Sequence, residues 1–448
     1  MMRLLTLLLT IAIASISQAT PTVFVNVNVI PMTSETVLEA RTVVVDAGVI
    51  QRIGDVDAVP VPEDALVIDG TDRYLLPGLA ELHAHVPDAQ AQNLDGVLTL
   101  FAANGVTTMR GMLGRPSHLE LRETLMDSAV FAPRLVTSGP SLNGNTVAGT
   151  ADARRQVRAQ FEAGYDFLKL HPGLTADEFY AIAETANELG IPFAGHVPVA
   201  VGVRDALAAG MATIDHLDGY LAALLPTDRG TSGGYGGFFD VLLANDVDPD
   251  RIAALVAATA ASGTRNVPTQ TLFEFRVSAT PAEEIVTWPE MQYVTPLTLR
   301  NWIAAKHRQY DERGFDAQTG ARAIELRRRL ILELHRSGAG ILLGSDAPQV
   351  FNVPGFSTHR ELVLLVESGL SPFEALETGT IAAAEFLGLN TGRVQPGRAA
   401  DLVLLDANPL DDIKNSQRIH GVMLRGRWYS RPEISQRLAR LSDANGRL

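Results

Sequence analysis

The chain has 448 residues, 46% hydrophobic and 20% charged, which suits a globular protein with one large domain and a smaller module. Its 37 basic against 51 acidic side chains give a formal net charge of −14, and no basic run offsets it, which disfavours nucleic acid or anionic lipid as a partner. With no cysteine, disulfides and thiolate ligands are excluded, and any metal must be held by histidine, carboxylates or lysine.

The chain opens on MMRLLTLLLTIAIASISQAT, a short basic start followed by an apolar run from Leu4 to about Ile16. Small residues, Ser17 and Ala19, stand where a signal peptidase reads, so residues 1–19 are expected to be a signal peptide. Removing Arg3 with it changes the net charge to −14 − 1 = −15. The apolar run is too short to span a bilayer comfortably. A periplasmic or secreted protein without stable membrane insertion is expected.

Residues 20–76 read as short β-branched segments, VFVNVNVI, TVVVDAGVI and ALVIDG, broken by Gly, Pro and Asp. GRAADLVLLD, VMLRG and RWYS near the other end have the same character. The two clusters predict a small β-sandwich built from residues 20–76 and 390–432, with a C-terminal tail over 433–448.

Between them, residues 77–389 alternate strand-like runs with helical stretches, which predicts an α/β fold, a (β/α)8 TIM barrel. The strands are expected at Gly78–His83, Thr107–Gly111, Arg134–Ser138, Phe167–Leu170, Phe193–Gly195, Thr213–Asp215, Arg265–Thr269 and Ile341–Gly344. Helices are expected over His118–Ala129, Thr150–Ala163, Thr175–Leu189, Val203–Ala209, Arg251–Ser262 and Phe373–Leu387. A Gly-rich passage, GTSGGYGGFFD, reads as a loop after the sixth strand. The insertion from Phe273 to about Asp316, with Trp288, Tyr293, Trp302 and Tyr310, either shapes a site at the strand ends or packs its own small core. RRRLILELHR reads as an amphipathic helix leading to the eighth strand.

The chemistry lies at the ends of the strand-like runs. In PGLAELHAHVP, His83 and His85 are two residues apart, so a strand turns both imidazoles to one face. Lys169, His196, His216 and Asp346 each close a further apolar run, and barrel topology gathers such ends on one rim. His171 shares the face of Lys169 and is a rival ligand or a substrate contact. Tyr220, four residues after His216, either donates to an oxyanion or packs beneath the loop. Asn143 in SGPSLNGN reads as a substrate contact or a turn residue, and His359 and Arg110 are weaker substrate-side candidates.

The series PGLAELHAH, GVTTMR, YDFLKLHPG, PFAGHVP, TIDHLDG, LLGSDAP and PGRAADLVLLD, from about residue 22 to about residue 430, resembles the metal-dependent amidohydrolase superfamily. The nearest branch holds imidazolonepropionase-like proteins and Xaa-Pro dipeptidases. The resemblance implies a binuclear hydrolase with His83, His85 and Asp346 on one divalent ion and His196 and His216 on a second. Lys169 would bridge them as N6-carboxylysine, although a mononuclear site remains open. It implies attack by a metal-bridging hydroxide, Asp346 as general acid and base, and zinc as the default metal. A small-molecule substrate is expected, a dipeptide or N-acyl amino acid cleaved at an amide bond. The alternatives are an ester, carbamate or lactone and, further off, a non-catalytic metal-binding barrel. Gly111 stands where many relatives carry Asp, so that strand end offers no carboxylate. A homo-oligomer is left open.

Overall fold

The computed structural model describes residues 20–226 and 237–445. The expected signal peptide lies outside them, as does most of the GTSGGYGGFFD passage. The first strands are β1 (Thr22–Val29), β2 (Leu38–Asp46), β3 (Val49–Asp55), β4 (Leu66–Asp69) and β5 (Tyr74–Pro77). Seven follow through the middle of the chain: β6 (Leu79–Ala84), β7 (Val106–Gly111), β8 (Arg134–Thr137), β9 (Leu168–Leu170), β10 (Phe193–Gly195), β11 (Thr213–Asp215) and β12 (Arg265–Val267). The last three are β13 (Leu402–Leu405), β14 (Ile419–Leu424) and β15 (Arg427–Ser430).

Strands from both ends share one eight-stranded sheet, ordered β15-β14-β13-β5-β1-β2-β3 with β4 paired to β1. The alternation of Val and Leu in these strands buries one face in its own core, which includes Phe24, Val43, Ile50, Leu402 and Met423. The middle strands are all parallel, β6-β7-β8 in one sheet and β9 to β12 in another. A Ser138 to Phe167 bridge links the two sheets, and an Asn266 to Ile341 bridge continues past β12.

The expected eighth strand, Ile341–Gly344, does not form a continuous ladder. Leu342 N donates to Asn266 O, but Leu343 N turns to Thr378 O and Ser345 N to the Glu81 carboxylate. Donors that leave for a helix end and a buried side chain break the repeat a ladder needs. Even so, Leu82 N bonds Leu343 O and Asp346 N bonds His83 O, so this segment runs against β6.

Helices form where expected, with shorter ends. Ala176–Leu189 is fixed by a Thr175/Glu178 capping box, and Thr150–Ala163 stops at Gly164, whose φ of +83° suits glycine. The expected single helix Phe373–Leu387 is two, Pro372–Gly379 and Ile381–Leu387, because Thr380 departs from helical dihedrals. The expected tail is instead a helix, Arg431–Asn445, whose Ile434 and Leu438 are buried on one face. In the insertion, Trp302 packs on Phe351, Tyr293 on Phe356 and Tyr310 on Phe315, while Trp288 lies under Arg360. These aromatics brace the insertion and the loop after Asp346.

Candidate metal centre

Alternation along β6 sends Glu81, His83 and His85 to one side. Glu81 is fully buried and accepts from Ser345 N, Ser345 Oγ, Thr358 Oγ1 and the His83 amide, which clamps β6 to the segment carrying Asp346. Gly344 permits this approach, since a Cβ there would meet His83 N at 2.9 Å. Asp346 thereby reaches the histidines. Its Oδ1 lies 2.8 Å from His85 Nε2 and 3.5 Å from His83 Nε2, and its Oδ2 lies 3.7 Å from His216 Nδ1.

The remaining candidates converge on the same place. The His83 and His216 ring centres are 4.5 Å apart, those of His196 and His216 4.7 Å, and those of His171 and His196 5.2 Å. Lys169, wholly buried on β9, sends Nζ to 3.6 Å from Asp215 Oδ2. Gly195 makes room for it, because a Cβ there would lie 2.8 Å from Lys169 Cδ. Phe239 stacks on the His216 ring at 4.5 Å and 9°. His216 and Asp346 both adopt left-handed φ, +63° and +66°, a conformation non-glycine residues hold only where surrounding contacts enforce it.

Several imidazoles have the Nδ1 side engaged by the protein. His216 Nδ1 pairs with Thr269 Oγ1 at 2.8 Å, His196 Nδ1 with Asp218 Oδ2 at 3.1 Å, and His83 Nδ1 faces Asp215 Oδ2 at 3.2 Å. Such outer partners orient histidine ligands and leave Nε2 for a cation. Burial, then the neighbouring positive groups, pushes His83 and His216 well below the usual imidazole range, so both are neutral. Burial also lowers Lys169, against the pull of Asp215 and Asp346.

The cluster fits divalent metal on an observation of its own. His83 Nδ1, Lys169 Nζ, Asp215 Oδ2 and Asp346 Oδ1 are buried without a hydrogen-bond partner, although they lie beside one another. Ligand atoms of His83, His85 and Asp346 all fall within 4.8 Å of each other. Close nitrogen and oxygen atoms that do not align as donor and acceptor are reconciled by a shared cation.

Asp215 and Glu81 were not singled out by the sequence reading, nor were Ser141, Asp218 and Thr269. The available signal was parity: Glu81 sits two before His83, and Asp215 two after Thr213, whose hydroxyl it accepts at 2.8 Å. Arg110 enters the same interior, donating to Leu82 O, Thr213 Oγ1 and Asp215 Oδ1. It therefore serves the strand core.

Two expected substrate residues stand elsewhere. The Tyr220 hydroxyl is committed to Thr259 Oγ1 at 3.0 Å inside the core, and burial pushes it up to about 12, so it serves packing there. His359 bonds Asn104 O and Ser416 Oγ, beside Leu79, which opens β6, and Gly105, which precedes β7, whereas the histidine cluster sits at the strand ends. Asn143 does reach the rim, through Ser141 to His171.

Comparison with known proteins agrees with this geometry. The amidohydrolase family model matches residues 74–429. Ochratoxinase of Aspergillus niger is 37% identical over 83 residues, 18% of this chain and only 16% of that relative's length. Among solved structures, bottromycin amidohydrolase superposes with a TM-score of 0.72 at 24% identity, covering 95% of this chain and 91% of its own. A Xaa-Pro dipeptidase with bound methionine does so with a TM-score of 0.65 at 18% identity, covering 92% of this chain and 100% of its own. A cluster of histidines, lysine and aspartate at parallel strand ends, within a family match spanning most of its length, makes the chain a member of the amidohydrolase family.

Proposed function

We propose that this member is an exported, metal-dependent hydrolase that cleaves an amide bond in a small molecule, a dipeptide or an N-acyl amino acid. The observation that carries the reading is the pair of buried, unpaired ligand atoms Lys169 Nζ and Asp346 Oδ1, the latter set among the ring nitrogens of His83 and His85. In this reading His83, His85 and Asp346 hold one divalent ion, zinc by default, and His196 and His216 a second, with Lys169 as N6-carboxylysine between them. Bound there, the ions would polarise the carbonyl and ionise water near neutral pH.

The chain's own groups supply the rest. Asp346, among three histidines, accepts a proton from the attacking water and returns it to the leaving amine. Asp215, Asp218 and Thr269 hold ring orientation. Phe239, stacked over His216, excludes water from that side. For the architecture we adopt a closed eight-stranded barrel, supported by the backbone bonds that join residues 341–346 to β6 and β12, and a sandwich-type domain for the terminal strands with their separate core. The names of the Xaa-Pro dipeptidase and ochratoxinase neighbours support a carbon–nitrogen bond as target. Export rests on the leader-like residues 1–19. No helix among the described residues is long and apolar enough to cross a membrane.

Elemental analysis of protein prepared with bicarbonate tests the reading, followed by assay of Xaa-Pro dipeptides and N-acetyl amino acids. About two ions per chain are expected. Lys169→Ala should lose at least one and regain part of its activity with short-chain carboxylic acids that stand in for the carbamate. One ion in both proteins would remove the bridging lysine, and none after metal supplementation would remove the hydrolase.

A further inference from the structure

A chain of hydrogen bonds fixes which nitrogen of His171 carries its proton, beginning at a donor that allows no choice. The backbone N–H of Asn145 donates to Asn143 Oδ1 at 2.9 Å, which sets the amide orientation and leaves Nδ2 to donate. Asn143 Nδ2 donates to Ser141 Oγ at 3.1 Å. Ser141 Oγ lies 2.7 Å from His171 Nδ1, and among the described residues that nitrogen is the acceptor available to the hydroxyl proton. Nδ1 therefore accepts, and the proton of the neutral ring sits on Nε2.

Position makes that N–H useful. His171 stands two residues beyond Lys169, its ring centre is 5.2 Å from that of His196, and it is only partly buried, at the rim of the cluster. Its backbone is fixed as well, because Leu142 N bonds Lys169 O and His171 N bonds Leu142 O. A ring whose Nδ1 accepts a hydroxyl proton carries one proton only and is neutral. A nitrogen that bears its proton has no lone pair for a cation.

Resting on the hydrolase reading above, we propose that His171 is a catalytic residue that donates Nε2–H to the oxygen of the scissile carbonyl as negative charge develops there, and that it is not a metal ligand. Ser141 is a positioning residue that sets its tautomer, and Asn143 holds Ser141 without touching substrate. A neutral imidazole donor suits this task because it stabilises an oxyanion without giving up a proton.

The test uses metal-loaded protein and two readouts. Nitrogen-15 spectra of histidine-labelled protein, assigned through His171→Gln, should show His171 protonated at Nε2 and bare at Nδ1, with that pattern lost in Ser141→Ala. On the fastest-cleaved member of the N-acetyl amino acid and Xaa-Pro dipeptide set, His171→Ala should lower kcat about 100- to 1,000-fold, with KM changed by less than about threefold and metal content intact. His171→Gln, which keeps an N–H donor, should recover part of the loss. A proton on Nδ1, loss of metal in His171→Ala, or a raised KM at unchanged kcat would each overturn the assignment. Failure of the wild-type chain to cleave any member would sink the hydrolase reading instead, and the kinetic role of His171 with it.

Discussion

At the scale of single residues, Asp215 ties a ring of the centre to the charged groups behind it. It is fully buried between Arg110, Thr213, His83 and Lys169, and although burial raises its carboxyl, Arg110, Lys169 and His216 hold it below the usual range. An anion so placed fixes the His83 ring and balances the buried Arg110 guanidinium. Asp215→Asn keeps the shape but removes the charge. Metal affinity, read by competition with a chelator, should fall about 10- to 100-fold, as for other outer partners of ligating histidines. Unchanged affinity would mean that the clamp at the His83 amide, through Glu81, orients the ring by itself. His83, His85, Lys169, His196, His216 and Asp346 were legible in the sequence because each closes an apolar run. Asp215 and Glu81 had only parity to mark them, which gives the face of a strand and not burial, because their partners are supplied from elsewhere: Arg110 is 105 positions away and Ser345 264.

At the scale of elements, the helix Ala317–Arg336 shows how a pattern can be read correctly and still hide its use. RRRLILELHR does form an amphipathic helix, yet Arg327 lies on its buried side with Leu326, Leu330 and Ile331. Its guanidinium donates to His216 O at 2.5 Å, Pro268 O at 2.8 Å and Gln270 Oε1 at 2.9 Å, and so holds the strained turn at His216. Glu361, from Phe356–Glu367, accepts from Gln270 N and Thr271 N and completes the support. Burial pushes Glu361 up to about 8 from an ordinary 4.5. The folded state therefore favours the protonated form. Its stabilisation is fully present below pH 4.5 and is lost as pH rises through about 8. The thermal midpoint should fall between these limits, and Glu361→Gln should flatten that decline. An identical slope in wild type and variant would place the titration elsewhere.

At the scale of the whole molecule, the terminal sheet is joined to the parallel strands through Asp401. This residue is almost fully buried, pairs with Arg134 of β8, and accepts from the Arg425 amide, while its carbonyl takes Gly78 N at the entrance to β6. Arg425 in turn reaches Ala132 O and Val130 O, and Tyr429 reaches Ser128 O. His359 adds a second tie by spanning Asn104 O and Ser416 Oγ. The sequence predicted that both chain ends meet because their strands share one character. It held no sign of this joint, whose partners stand 267 positions apart. Removing one member of a buried ion pair leaves the other uncompensated, which typically costs about 3 to 5 kcal/mol. Asp401→Ala should accordingly lower the unfolding free energy by that amount, read as a lower denaturant midpoint, while the metal content of the folded protein stays at its wild-type value, since no ligand candidate touches Asp401. The two measurements separate the joint from the centre. A normal midpoint would mean that the Arg425 and His359 contacts suffice, whereas lost metal at normal stability would mean that the terminal sheet sets the position of β6 and, through it, of His83.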